Sequence, residues 1–416
     1  MNTPTPSSDV RIDGARVSRR LHELSEIGRD PRGGMSRFSF TPAHAQACLL
    51  VAGWLREAGL DPAIDSAGNL AGLGSGRGAA ISAGSHLDTV PMGGIYDGAL
   101  GVVGAVECAQ ALKDAGVLLR RPYVVLAFAD EEGHSFGIGC LTSRAVVGEL
   151  GDDQMRAIHD RDGRTLADRA ASWDCPLPRR APPSLAAYLE LHIEQGPRLQ
   201  TEGLDAAAAT AIAGISRTTA TFTGQANHAG TTPMAMRHDA LWGAATLVLD
   251  VRRLALASAG AAVGTVGKVD VEPGATNVVP GTARVRVEVR SGEDARLARL
   301  RVDVESAAKA AARAFGLTVS IDPWDSLPPQ PLDGAIRALV LAHAARRGLQ
   351  AISMPSWAGH DAKILAPHVP AGMIFIPSRD GISHSPAEFS SPEHIAAGVQ
   401  VLLDTVVAID AASPAA

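Results

Sequence analysis

The run from Tyr123 to Ala129, Tyr-Val-Val-Leu-Ala-Phe-Ala, is apolar at every position and ends abruptly in Asp130-Glu131-Glu132-Gly133-His134. A strand with one wet face alternates apolar and polar residues, whereas a strand apolar throughout is covered on both faces. This chain must therefore build layers, with helices on either side of a sheet. Its neighbours supply them. Arg16 to Ile27 places Val17, Leu21, Leu24 and Ile27 on one helical face. Thr41-Pro42 reads as an N-cap followed by a proline in the first turn, opening a helix from Ala43 to Ala58 that stops at Gly59. Ala79 to Ser85 is a short apolar strand, and Asp97 to Ala115 a Gly- and Ala-rich helix. Strands alternating with helices predict an α/β architecture. In such sheets functional groups gather just beyond the strand ends, where the polar clusters after Ser85 and Ala129 fall.

The middle of the chain has another rhythm. Thr218 to Thr223 alternates, Ala240 to Ala255 is helical, and Gly264 to Val271 is strand-like. Thr282 to Val289 alternates with Val285, Val287 and Val289 on one face; Asp294 to Phe315 is a long amphipathic helix, and Leu317 to Ile321 alternates again. The order β-α-β-β-α-β is that of a split βαβ, ferredoxin-like unit. Ala335 to Arg347 then resumes the helices, and Gly372 to Ile376 is another apolar strand. The reading is a catalytic α/β domain over 1–213 and 331–416, interrupted by an inserted α+β domain over 214–330.

Composition removes other classes. With 46% hydrophobic and 20% charged residues in 416, the chain is neither disordered nor a small disulfide scaffold. The net charge is 38 − 44 = −6 with no basic stripe, which excludes a nucleic-acid partner and suits small molecules. Cys48, Cys108, Cys140 and Cys175 show no CxxC spacing and read as buried thiols of a reducing compartment. Met1 to Arg20 has no apolar run ahead of its first charges, and residues 1 to 10 read as a frayed end. The longest apolar run, Val124 to Ala129, is far below the ~20 residues of a membrane span. A soluble, cytoplasmic protein with no membrane partner is expected.

Four clusters carry chemistry. His86-Leu87-Asp88 stands at a strand end, and Asp97 opens a helix, where free N–H groups favour a carboxylate. Asp130-Glu131-Glu132-Gly133-His134 follows the apolar strand; His192-Ile193-Glu194-Gln195 and Ile382-Ser383-His384-Ser385-Pro386 complete the set. Each alone reads more readily as a solvated loop or turn. Together, after apolar strands, they form the His/Asp/Glu donor set of zinc or a similar divalent ion. Five such donors and a spare carboxylate suffice for two ions about 3.5–4 Å apart sharing a carboxylate and a water. On an extended segment Glu131 and Glu132 point opposite ways, so one can ligate while the other acts as base.

The longer motifs resemble those of the M20-type metallopeptidase superfamily: Gly84-Ser85-His86-Leu87-Asp88-Thr89-Val90-Pro91 with Gly93-Gly94-Ile95-Tyr96-Asp97-Gly98. His192-Ile193-Glu194-Gln195-Gly196-Pro197, the segment Gly224 to Met234 and Gly381-Ile382-Ser383-His384-Ser385-Pro386 narrow the resemblance to the hydantoinase/carbamoylase branch. That branch holds N-carbamoyl-L-amino-acid hydrolases, β-ureidopropionases and allantoate amidohydrolases, and the resemblance runs from about residue 16 to 409. It implies a mixed-sheet dimetal hydrolase domain with an inserted ferredoxin-like lid and dimerisation domain. His86 and His192 would hold one metal, Glu132 and His384 the other, and Asp97 would bridge them. Glu131 would be the general base, and Asp88 would orient His86. His228 would stabilise the oxyanion; Gln195, Asn277, Arg290 and the loop Gly359-His360 would contact substrate.

The implied cofactors are two divalent ions per subunit, Zn, Mn, Co or Ni. The implied partners are a small ureido or amide substrate bearing a carboxylate, and a second subunit in a homodimer closing through the inserted domain. The implied reaction is hydrolysis of the carbamoyl C–N bond of an N-carbamoyl-L-amino acid, with allantoate as the alternative substrate. His134, Glu288 and Trp357 depart from the common pattern, and His134 could act as an extra ligand.

Overall fold

The computed structural model describes residues 10–412. The chain forms two compact units, one from the segments up to Thr210 and from Leu332 onward, the other from Ala211–Pro331. The expected frayed N-terminal residues lie outside the described residues, Val10 excepted.

The first unit starts with the helix Gly14–Ser25, where the Asp13 side chain accepts from the Arg16 amide, and the helix Pro42–Glu57, where Thr41 caps and Pro42 occupies the first turn. Then come β1 (Asp61–Ile64), β2 (Leu70–Leu73), β3 (Ala80–His86), the helix Ala99–Asp114, β4 (Tyr123–Phe128), β5 (Leu185–Ile193) and β6 (Ala206–Ile212). The second unit carries β7 (Gly214–Thr223), β8 (Asn227–His228), the helix Ala240–Ala257, β9 (Ala262–Glu272), β10 (Val278–Val279), β11 (Thr282–Ser291), the helix Asp294–Ala314, β12 (Thr318–Ile321), β13 (Asp325–Leu327) and β14 (Gln330–Pro331). The chain returns to the first unit with the helix Gly334–Arg346, β15 (Ala351–Ser356), β16 (Ala371–Ile376) and the helix Pro392–Ala412.

The large sheet runs β1-β2-β4-β3-β5-β16-β6-β14, with β15 beside β6. Its centre, β4-β3-β5-β16, is parallel, and antiparallel pairs flank it. The four central strands therefore present their C-terminal ends at one edge, the edge where ligands bind in open α/β sheets. All six residues of β4 are buried, as its unbroken apolar run requires. The helix Ala99–Asp114 buries every residue from Ala99 to Leu112. Glycine lets it lie so close: a Cβ at Gly101 would stand 2.5 Å from the Leu191 carbonyl oxygen. The last helix, Pro392–Ala412, is long and apolar enough by composition to cross a membrane. In this fold it packs on β5, β16 and the helix Ala99–Asp114, burying Ile395, Val399, Leu402 and Val406.

The second unit is a four-stranded antiparallel sheet, β12-β7-β11-β9, extended by β13 beside β7. Strand order and the two helices match a split βαβ unit. Val285, Val287 and Val289 face Leu247, Leu297, Leu300 and Val304 of those helices in one core. All four cysteines are free and buried.

His44, on the second helix, is 1% exposed, stacks on Trp173 at 4.9 Å and accepts the Phe40 amide on Nδ1. Burial, with the nearby Arg37 cation, pulls its pKa from 6.5 down to about 3. The folded state thus keeps His44 neutral while the unfolded chain protonates it below its ordinary value of about 6.5. Its contribution is complete above that value and is lost as the pH falls toward about 3. Urea midpoints measured from neutral to mildly acidic pH should fall less steeply for His44→Asn than for the parent. Parallel curves would count against a neutral buried His44.

Candidate active site

The C-terminal ends of β4, β3, β5 and β16 deliver the site. His86 is the last residue of β3, Glu131 and Glu132 follow β4, His192 is the penultimate residue of β5, and His384 lies in the segment after β16. Asp97 comes from the turn ahead of the helix Ala99–Asp114. Gly98 adopts φ +64°, and a Cβ there would lie 2.4 Å from the His86 ring, so only glycine lets Asp97 and His86 meet.

Asp97 is the hub. Its Oδ1 lies 3.3 Å from His86 Nε2 and 3.1 Å from His192 Nε2; its Oδ2 lies 3.3 Å from His384 Nε2. His384 Nε2 is in turn 3.4 Å from Glu132 Oε1. The two carboxylate oxygens therefore serve two different donor groups, His86–His192 and His384–Glu132. His86 Nδ1 contacts the Asp88 carbonyl at 3.0 Å and His192 Nδ1 the Ile193 carbonyl at 2.9 Å. Each contact needs a proton on Nδ1, so each neutral ring presents its Nε2 lone pair to Asp97. The Gly98 amide pointing at His192 Nε2 agrees with this tautomer. Lone pairs facing a carboxylate at 3.1–3.3 Å repel unless a cation joins them. Two ligands each 2.0–2.1 Å from a tetrahedral ion stand about 3.3–3.4 Å apart, so the residues fit divalent ions.

Protons compete for the same positions. Burial drags His86 down, but the Asp97 hydrogen bond and the Glu131 and Asp88 carboxylates hold it well above the usual histidine range. The Asp97 hydrogen bond is the main reason His384 rises to about 9. Burial alone would raise Asp97, yet contacts with His192, His384 and His86 hold it well below the usual carboxylate range. Burial, then Asp97, push Glu132 up to about 7. Burial raises Glu131 strongly, opposed by His86.

Glu131 stands with Oε2 3.8 Å from His86 Nε2, while its Oε1 accepts from Cys140 Sγ at 3.1 Å. The segment is a bend with Asp130 at φ +53°, not an extended strand. This turn, rather than strand alternation, sends Glu131 toward His86 and Glu132 toward His384. The donors line a cavity of about 200 Å³, which Gly139, Cys140, Gln195, Ala358 and Gly359 also line.

Three further expectations need correction. His86 is oriented by the carbonyl oxygen of Asp88; the Asp88 carboxylate, 3.7 Å from Nδ1, is taken up by the Glu131 and Glu132 amides at 3.1 and 3.2 Å. His360 is 1% exposed, bonds Ser356 Oγ and packs edge-on against His192, so it backs a ligand rather than facing the cavity. His134 stacks on Phe38 at 3.8 Å and, among the described residues, belongs to no donor group. Gln195 does lie in the cavity, but its Nε2 donates to Asp97 Oδ2 at 2.8 Å and its buried Oε1 has no partner among the described residues.

Some supporting residues escaped the sequence reading. Glu388 Oε1 accepts both the Tyr96 and Asp97 amides at 3.0 Å, and Ser383 Oγ reaches both Glu388 Oε2 and Asp97 Oδ2 at 3.0 Å. Glu190, on the strand that carries His192, accepts from Ser85 Oγ and the Ala362 amide. The available signal was weak: Glu388 falls four residues after His384, just past the same motif.

His228, Asn277 and Arg290 belong to the second unit. His228 is exposed on β8, opposite Val278, and the Ala229 amide donates to the Asn277 carbonyl. Its Nδ1 accepts the Gly230 and Thr231 amides, leaving Nε2–H as an outward donor. Arg290 lies near the far end of β11, paired with Glu288 at 2.7 Å. The eight steps from Thr282 to Arg290 span about 26 Å.

Histidines and carboxylates from four parallel strand ends, converging on one shared carboxylate, define the class of metal-dependent hydrolases. The family model of peptidase family M20/M25/M40 matches residues 83–408, and the chain belongs to that family. It is 38% identical over 407 residues to an N-carbamoyl-L-amino acid amidohydrolase of Geobacillus stearothermophilus, covering 95% of this chain and 98% of that one. It is 34% identical over 393 residues to the allantoate amidohydrolase of Escherichia coli (93% and 95% covered). A crystal structure of a hydantoinase/carbamoylase family amidase from Burkholderia multivorans superposes with a TM-score of 0.92 at 34% identity, covering 97% of this chain and 99% of that one.

Proposed function

We propose that the chain hydrolyses the carbamoyl C–N bond of N-carbamoyl-L-amino acids. One water is consumed per turnover, and the products are the amino acid, ammonia and CO₂. The observation that carries this reading is the Asp97 carboxylate, with each oxygen directed at a different donor group. His86 and His192 would hold one divalent ion and Glu132 and His384 the other, with Asp97 shared. Zn, Mn, Co and Ni all suit these donors, and availability selects among them. Such ions supply Lewis-acid polarisation of the ureido carbonyl and acidify a water.

The chain's own groups do the rest. Glu131 takes the proton of the attacking water and returns it to the leaving nitrogen. His228 Nε2–H donates to the developing oxyanion, a role that contributes about 3–4 kcal/mol in comparable sites. Arg290 holds the substrate carboxylate, and Gln195, Asn277 and Gly359 contact the ureido end.

His228 and Asn277 sit near one end of β11 and Arg290 near the other, too far apart to meet one small substrate. This supports a homodimer in which the interposed unit acts as lid and dimerisation domain, each copy lending one end to a different site. The edge position of β9 and the exposed Leu249 and Leu256 of the helix Ala240–Ala257 suit such pairing. A monomer in sedimentation would remove that support. A cytoplasmic setting is consistent with four free thiols.

Allantoate, which shares the terminal ureido group, is the second reading, favoured by the Escherichia coli relative. An ammonia-release screen across N-carbamoyl amino acids, allantoate and ureidopropionate, beside an assay of dipeptides that follows the free amino groups produced, with each metal supplied, decides between them. Release from N-carbamoyl-L-amino acids at least about tenfold faster than from allantoate, a transition-state difference of about 1.4 kcal/mol, is the expected result. Dipeptide cleavage without ureido hydrolysis would overturn the proposal.

A further inference from the structure

Arg37 is 2% exposed, a cation buried against the segment that follows His86. Among the described residues no carboxylate bonds it. Its Nε donates to the Leu87 carbonyl at 2.7 Å and its Nη1 to the Ile27 and Leu24 carbonyls at 3.1 and 3.3 Å. Its own backbone doubles the grip: the Arg37 amide donates to Thr89 Oγ1 at 2.8 Å, and the Thr89 amide donates back to the Arg37 carbonyl at 3.1 Å. The guanidinium and main chain of one residue thus hold both sides of Leu87-Asp88-Thr89, the segment directly after His86.

That segment has two tasks at the site. The Asp88 carbonyl fixes the His86 ring, and the Asp88 carboxylate anchors the amides of Glu131 and Glu132. Asp88 is 1% exposed, and a carboxylate so buried is favoured by a nearby positive charge. Burial pulls Arg37 down to about 10, and attraction to Asp88 is the main force opposing it. A buried guanidinium without an ion-pair bond is destabilising, and hydrophobic packing alone would have favoured methionine or leucine at this position.

We propose that Arg37 is a positioning residue for the metal cluster, clamping Leu87-Asp88-Thr89 so that the Asp88 carbonyl and carboxylate hold His86, Glu131 and Glu132 in place. The proposal rests on the reading of His86 and Glu132 as metal ligands. Arg37 touches neither substrate nor ligand atoms and acts through Asp88.

The test measures Co²⁺ affinity of the full chain by competition with a chelator, with circular dichroism and thermal melting as folding controls. Outer-shell partners of metal ligands typically contribute 10–100-fold in affinity. Arg37→Lys, which keeps the charge but loses the fork, should weaken Co²⁺ binding at least about tenfold. In an Asp88→Asn background the same change should cost measurably less than in the parent, because the carboxylate branch to Glu131 and Glu132 is already weakened while the carbonyl branch to His86 remains. Thr89→Val, which removes only the hydroxyl that accepts the Arg37 amide, should weaken binding about threefold and serves if Arg37→Lys does not fold. Parent-like affinity in the folded variants, or losses at Arg37 and Asp88 that simply multiply, would overturn the clamp alone. A parent chain that binds no Co²⁺ would overturn the metal reading and the clamp with it.

Discussion

Glu131→Gln should bind metal as the parent does and release ammonia at least about 10³-fold more slowly. The amide keeps the volume and an acceptor oxygen toward Cys140 Sγ, so the bend after β4 and the contact at 3.1 Å can persist. What it loses is the ability to take a proton. Positioned general bases contribute about 10²–10⁴-fold, and the upper part of that range fits here because Glu131 is buried with Oε2 3.8 Å from His86 Nε2, inside the donor cluster. The measurement pairs metal content by elemental analysis with kcat on an N-carbamoyl-L-amino acid. Intact metal with kcat within about tenfold of the parent would sink the assignment of Glu131. Loss of metal would instead make it a ligand.

Asp97→Asn should do the opposite, losing both metal and turnover together. One Asp97 oxygen faces His86 and His192 while the other faces His384. An amide offers one acceptor and one donor, and the donor end must point at a ring nitrogen that a metal would otherwise claim. Gln195 Nε2 and Ser383 Oγ already donate to Asp97 Oδ2, so the substituted amide can satisfy neither group fully. Metal content should fall by at least about half, and kcat by more than about 10³-fold even with excess Zn²⁺ or Mn²⁺ supplied. Two tightly held ions in this variant would show that the donor groups are independent, and would remove the shared carboxylate from the proposal.

The site was legible where chemistry and strand ends coincide in the sequence. His86 and Glu132 stand at or just after strands whose apolar character marks them, while His192 and His384 stood out by their own motifs, and the structure brings all four around Asp97. The supporting residues were not legible. Glu388 reaches the Tyr96 and Asp97 amides from 292 and 291 positions away, and Arg37 reaches Leu87 across 50. Nothing local distinguishes such a glutamate or arginine from a solvated one. Asp88 shows the same limit in small: two residues from His86, it invites a carboxylate–imidazole pair, but chain geometry gives that contact to the carbonyl instead.

Order along the chain was sufficient to specify layers, because β4 is apolar at every residue and can only lie between two covers. It was sufficient also to nominate the donors, because histidines and carboxylates at strand ends have few other uses in such numbers. Which oxygen of Asp97 serves which histidine, which atom of Asp88 orients His86, and which buried cation steadies that loop depended on packing across distant segments. Hydrogen bonds and buried charges are settled by partners brought together in space, and a linear pattern carries no record of those partners.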